Sequence, residues 1–286
     1  MNIDQIRRRR LTVETVHDVV HALRAVAAGR IQSAQQAVVA ADRYYEVVVR
    51  SLSAVPIDSF PLRLPPGREG RVGLLVLTSE QPLCGALTQN IVDFAERRRR
   101  ELSDSKHIFL MVVGRRGMRQ FAVRGMTPDF VEPGATSLAG LHDLVKRLAT
   151  TLTARYAAGE LGEVRVIYSR YISVSEQVPT EERLLPPDLV TLRRSAVREG
   201  RDYARYLPAE EFLTALVTEY AFIALYRIAA QMLTSEQAAR LVAMDGATRS
   251  AERMMDTLKA QENRARQEEI TNGVLELISA RFASEH

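Results

Sequence analysis

The sequence predicts an α/β protein in which two long helices, one at each end of the chain, pair as an antiparallel coiled coil around an inserted α/β domain. Three observations lead there. From Ala209 to Ala283 there is no proline and there are only two glycines, Gly246 and Gly273, so nothing forces a break; a continuous helix of that length would reach about 110 Å. Near the start, Val13, Val20, Ala27, Ala34, Ala41 and Val48 recur every seven residues, the repeat of a coiled-coil seam. Between the two ends, short apolar runs alternate with stretches of helical spacing, which is the pattern of a mainly parallel, covered sheet.

In the first arm, Val16 and Leu23 lie between the heptad positions, and the second row then slips to Ile31, Val38, Tyr45 and Leu52. A heptad with such a slip relaxes toward the ordinary helix period. Alanine at 27, 34 and 41 lets a partner backbone approach closely. The stripe on the last arm runs through Phe212, Leu216, Tyr220, Ile223, Tyr226, Ala230 and Leu233, resumes at Leu241, Met244, Ala247, Ala251, Met254 and Leu258, and returns at Val274 and Leu277. The expected pairing seam therefore includes Val20, Ala27, Ala34, Met244 and Ala251. The first helix should end before Pro56, because Pro56, Pro61, Pro65, Pro66 and Gly67 form a linker that no helix crosses. These limits divide the chain into an N-terminal coiled-coil helix (1–56), a central α/β domain (57–208) and a C-terminal coiled-coil helix (209–286).

Within the central domain, Val72 to Thr78 and His107 to Val113 read as buried strands, Val164 to Arg170 as a third, and Ile172 to Val178 as a fourth by alternation. Helical spacing marks Thr88 to Leu102 and Leu138 to Ala158, with a short helix over Arg115 to Val123 ending at Gly125. Pro179, Pro186, Pro187 and Pro208 punctuate the return to the long helix. Strand alternating with helix makes this domain Rossmann-like.

Composition narrows the function classes. Lys and Arg number 39 and Asp and Glu 35, a net charge of +4, too slight to require nucleic acid as a partner. The first arm carries eight basic and five acidic side chains, the last arm eight basic and twelve acidic, so opposite signs favour their pairing. The run Arg7 to Arg10 reads as a solvated helix end, with an anionic partner as the alternative. No uninterrupted apolar run reaches the ~18 residues of a membrane span, and the polar, basic start does not resemble a secretory signal. The single cysteine, Cys84, excludes an internal disulfide.

The chemistry expected of a nucleotide-binding sheet is missing. There is no G-x-x-x-x-G-K-[ST] loop and no G-x-G-x-x-G after a strand. Glu80, in the loop after the first strand, would repel a phosphate. Gly114 to Gly117 (GRRG) is basic and could hold an anion. His17 and His21 share a helix face, but further ligands would have to come from elsewhere to hold zinc. No nucleophile, base and oxyanion donor assemble. The expectation is a mechanical protein without catalytic residues, metal or cofactor. A cytosolic nucleotide-binding enzyme with a coiled-coil dimerisation arm is the alternative, and a basic nucleic-acid-binding adaptor is a third reading that the acidic last arm disfavours.

Several motifs carry a resemblance to a known family. Ser235 to Met244 (SEQAARLVAM), Ala247-Thr248, Asn263 to Gln267 (NRARQ) and Ile270-Thr271 resemble, with matching spacing, the C-terminal signature of the gamma subunit of the F-type ATP synthase. Thr78-Ser79 with Leu83-Cys84-Gly85, Ile6 to Arg9 and Ala25 to Arg30 are similar to its central and N-terminal motifs. The departures are Glu80-Gln81-Pro82 for Asp-Arg-Gly, Ala86 and Thr88 for a glycine and an asparagine, Glu262 for a tyrosine, and His21-Ala22-Leu23 for Lys-Ala-Met, which suit a divergent bacterial member, of the kind an alternative synthase operon would encode. The resemblance implies the central-stalk rotor of a rotary ATP synthase or ATPase, a non-catalytic subunit coupling ion translocation through the membrane ring to ATP synthesis or hydrolysis in the head. It implies as partners the alpha and beta subunits of the catalytic head, the epsilon subunit and the membrane c-ring, with no nucleic acid. It implies a peripheral place on the cytoplasmic face of the bacterial plasma membrane, with membrane contact only through the complex. It assigns contact with the catalytic head to Arg266 and Gln267, with Arg264, Leu23 and Arg24 beside them.

Overall fold

The computed structural model describes residues 3–54, 71–103, 107–187 and 209–284. In order these form α1 (Ile3–Ala54), β1 (Arg71–Leu77), α2 (Leu87–Ser103), β2 (Ile108–Val113), α3 (Arg115–Val123), β3 (Phe130–Glu132), α4 (Leu138–Ala157), β4 (Leu161–Tyr171), β5 (Gln177–Leu185) and α5 (Ala209–Ser284). The prolines expected to form the linker, and Pro208, lie outside the described residues.

The sheet has the order β3-β2-β1-β4-β5. β1 pairs in parallel with β2 and β4, β2 in parallel with β3, and β5 closes the edge antiparallel to β4. From Val72 on, β1 is apolar because it is central and buried on both faces. Two expectations are corrected here. The fourth strand begins at Gln177, not Ile172: residues 172–176 are a tight turn, with Ile172 and Ser173 donating backbone hydrogen bonds to the Glu176 carbonyl at 3.1 and 3.0 Å, and Ile172 and Val174 are exposed. Pro179 therefore sits inside a strand rather than ending one, which is tolerated because β5 is an edge. The three-residue β3 was not foreseen; it is too short to show a period.

The chain divides into two compact units, one drawn from Met1–Ala27 and Leu241–His286 and the other Ala28–Arg240. In the larger, one core joins Ala41, Val48 and Leu52 of α1, the sheet, α2 and α4, and Tyr220 to Ala239 of α5. A window within Ala215–Leu275 is long and apolar enough by composition to cross a membrane, although uninterrupted runs are shorter; 56% of it is buried inside the protein, as a core helix would be.

In the smaller unit the two helices run antiparallel, held by ion pairs from Arg7 and Arg10 to Glu262 at 3.3 and 3.1 Å and from Arg24 to Asp245 at 3.2 Å. His17 Nε2 lies 3.8 Å from Glu252. Val16 departs from its expected place between the heptad rows. It is 52% exposed and His17 takes the inward position, because the inward residues Arg10, Val13, His17 and Val20 step by three and four, which sets the second row one residue after Val16. Val274 and Leu277 are also exposed: α1 starts one turn before Arg7, whereas α5 continues from Glu262 to Ser284 and outruns its partner. Ala27, Ala34, Met244 and Ala251 are buried, and Val20 and Leu23 half-buried. Ala27→Lys should lower the chain's stability by at least the ~1–3 kcal/mol of an overpacked site, since the ammonium has no room; an unchanged melting temperature would refute the assigned register.

Candidate functional site

In an open α/β sheet, ligands bind beyond the carboxyl ends of the strands, where the strand order reverses. Here that point lies between β1 and β4, since the chain builds outward from β1 to β3 and then crosses to β4. The crevice holds a turn of α5. Ser235 Oγ donates to the Ser169 carbonyl at 2.7 Å, near the end of β4. Arg240 Nη2 reaches the loop after β1, 3.1 Å from Cys84 Sγ and 3.5 Å from the Pro82 carbonyl. Glu236 accepts hydrogen bonds from the backbone N–H groups of Glu80 and Gln81 and pairs with Arg240 at 2.7 Å, both side chains almost wholly buried. Gln237 Oε1 accepts from Arg240 Nη1 at 3.0 Å. Burial pushes the Glu236 carboxyl above its ordinary range in spite of Arg240. It likewise pushes the Cys84 thiol up to about 11, with Glu236 adding to the shift and Arg240 opposing it. A thiol held this far from ionisation is a poor nucleophile.

The basic GRRG loop does hold an anion, and the anion belongs to the chain. Glu80 Oε2 accepts from the Arg115 and Gly134 backbone N–H groups at 3.1 and 2.7 Å, and Oε1 lies 2.9 Å from Arg115 Nε. A carboxylate at the start of a helix is favoured by the unpaired N–H groups there. Thr78 packs so tightly against this turn that a Cβ on Gly117 would fall 2.3 Å from its Oγ1. The departure at Glu80 thus clasps the β1 loop to α3 and to the loop before α4. His17 and His21 stack at 6.2 Å, and among the described residues no group of three or more His, Cys, Asp and Glu side chains converges as a metal site would require.

The residues that the resemblance ties to the catalytic head lie on the antiparallel pair. Arg264, Arg266 and Gln267 are exposed on α5. Arg24 is engaged with Asp245, and Leu23 is half-buried. Glu262, which departs from the family pattern, is the acceptor for Arg7 and Arg10. Two members of the basic run are therefore paired within the chain.

The family model described as ATP synthase matches residues 2–283. The ATP synthase gamma chain of Moorella thermoacetica is 34% identical over 281 residues, covering 96% of each chain. The chain belongs to the ATP synthase gamma chain family. The gamma chain of Ruegeria pomeroyi is 32% identical over 292 residues, covering 97% of this chain and 98% of its own. Among solved structures, a chain of the Euglena gracilis mitochondrial ATP synthase superposes with a TM-score of 0.63 at 18% identity, covering 98% of this chain and 94% of its own. A chain of the Tetrahymena thermophila mitochondrial ATP synthase central stalk and c-ring gives 0.57 at 19%, covering 80% and 99%. These structures support the fold. For a gamma-family chain, a crevice packed with its own helix explains how a Rossmann-like sheet can be present without a nucleotide motif. The polar spacing of Ser235, Glu236, Gln237 and Arg240 within an apolar helix was the sequence signal for that lock.

Proposed function

We propose that this chain is the central-stalk rotor subunit of a rotary ATP synthase, a non-catalytic member that couples ion translocation in the membrane ring to ATP synthesis or hydrolysis in the head. The observation that carries the reading is the pairing of a gamma-family sequence with a long antiparallel helix pair whose sheet domain has its ligand crevice filled by α5. A rotor shifts catalytic subunits among states only by contacting those states unequally, and one asymmetric helix pair is suited to that. Its partners are the alpha and beta subunits around the helix pair, and the epsilon subunit and c-ring beside the sheet domain. It sits peripherally at the cytoplasmic face of the bacterial membrane. The exposed Arg264, Arg266 and Gln267 are the head-contacting residues, and Val20, Ala27, Ala34, Met244 and Ala251 form the arm-pairing seam. The nucleotide-enzyme alternative is disfavoured by the filled crevice. The purified chain should hydrolyse no ATP, and an affinity-tagged chain should co-purify with the head subunits. Turnover by the pure chain that a mutation within it abolishes would overturn the proposal.

A further inference from the structure

In the larger unit a partly buried polar cluster joins three parts of the chain. Arg227 on α5 pairs with the Glu182 carboxylate on β5. Its guanidinium lies over the ring of Tyr45 on α1, 4.8 Å from the centroid. Tyr168 on β4 donates its hydroxyl to Glu182 and stands 3.4 Å from Gln231 Oε1 on α5. Tyr45 in turn packs against Tyr220 of α5 at 5.8 Å. Asp42 of α1 completes the set of charges acting on Arg227.

Resting on the rotor reading, we propose that Arg227 is a positioning residue that holds both helices in register with the sheet when the helix pair is twisted. The apolar core also joins these parts, but the hydrophobic effect itself has no direction. The Arg227 guanidinium meets Glu182 through Nη2 and lies over the Tyr45 ring, and a flat group held at both places fixes an orientation. The Glu236–Arg240 lock ties only α5 to the sheet loops. The Tyr44–Glu219 hydrogen bond, 2.9 Å, ties only α1 to α5. Arg227 touches α1 and the sheet from α5 at once. In a rotor, the sheet domain and the helices must turn through the same angle, so a loosened joint appears as angular slack before it appears as unfolding.

The test uses the assembled complex with the head immobilised and a probe on the sheet domain. Angular spread during catalytic pauses is recorded, with ions pumped per ATP measured in vesicles. The variants are Arg227→Lys, which keeps the charge but loses the flat group over Tyr45, and Tyr45→Leu, which leaves the Glu182 pair in place. Both should assemble and retain ATP turnover and ions pumped per ATP, because a compliant joint delays rotation without changing its total, yet show a wider angular spread. A wild-type angular spread in either assembled variant would overturn the proposal. If Arg227→Lys fails to assemble, the Tyr45→Leu complex decides alone. A wild-type complex in which the probe does not turn would instead overturn the rotor reading.

Discussion

Arg240→Ala is expected to destabilise the chain by about 3–5 kcal/mol, the cost of leaving a buried charge without its partner. The side chains of Arg240 and Glu236 are 6% and 5% exposed, so water cannot replace the lost contact. The Pro82 carbonyl and Cys84 Sγ lose a donor with it. Three measurements check this. Denaturant melts of the purified chain read the loss directly. Cys84, buried and poorly ionised in the parent chain, should react with thiol reagents faster in the variant, because the loop after β1 is no longer tied to α5. The third is pH. The folded-state pKa of Glu236 is already raised above its ordinary value of 4.5, and loss of Arg240 raises it further. The folded state then binds more protons than the unfolded one, so the penalty is full above the folded pKa and shrinks as pH falls toward the unfolded value. Replacing both partners, as in Glu236→Leu with Arg240→Met, should recover much of the loss, because an apolar pair leaves no charge stranded. A single variant as stable as its parent, or a double variant as unstable as the single, would show that the pair does not lock the crevice.

The helix arms were legible in the sequence because their signal is long. Fifty residues or more without proline, with apolar positions three or four apart, admit little else. The three buried parallel strands were legible as apolar runs. The edge was not: Ile172 and Val174 alternate as a strand would, yet both face solvent in a turn, and alternation alone cannot distinguish the two. The site was harder, because side chains far apart in sequence decide it. Glu80 read as an obstacle to phosphate; in the fold it is the anion that the GRRG loop holds. Glu262 read as a departure from a family motif, and its meaning lies at Arg7 and Arg10, more than 250 residues away. Arg227 lies inside the apolar stretch Ala221 to Ala230, and nothing local there reveals Glu182 or Tyr45. Motif matching found Ser235 to Arg240 without indicating that this turn fills the crevice at β1 and β4.

Arg266→Ala should leave the fold and assembly of the complex intact and lower its multisite ATP turnover by roughly ten- to a hundred-fold. The figure follows from a hydrogen bond to a charged group, about 1.5–3 kcal/mol, if most of it is felt at the barrier. Both Arg266 and Gln267 are exposed on α5, so truncation opens no cavity. An intrahelical partner could account for Arg266 without any head contact, and Glu262 is the nearest acid before it. That carboxylate is engaged by Arg7 and Arg10 from α1. A contact with Glu269 would bring only ~0.2–0.5 kcal/mol. Arg266 therefore presents its planar fork of donors outward, in the form that grips a carboxylate in two places, with the Gln267 amide beside it as both donor and acceptor. A contact made in one rotary state and absent in the others changes the spacing of those states in energy, which is where a rotor acts. Gln267→Ala removes a neutral bond of about 1 kcal/mol and should slow turnover by roughly five-fold. Arg266→Lys, which keeps the charge but loses the fork, should fall between wild type and alanine. The assay is ATP turnover and ion pumping by purified complexes carrying each variant. Wild-type rates in both alanine variants would leave Arg266 and Gln267 as solvent-facing residues and move the head contact elsewhere on the helix pair.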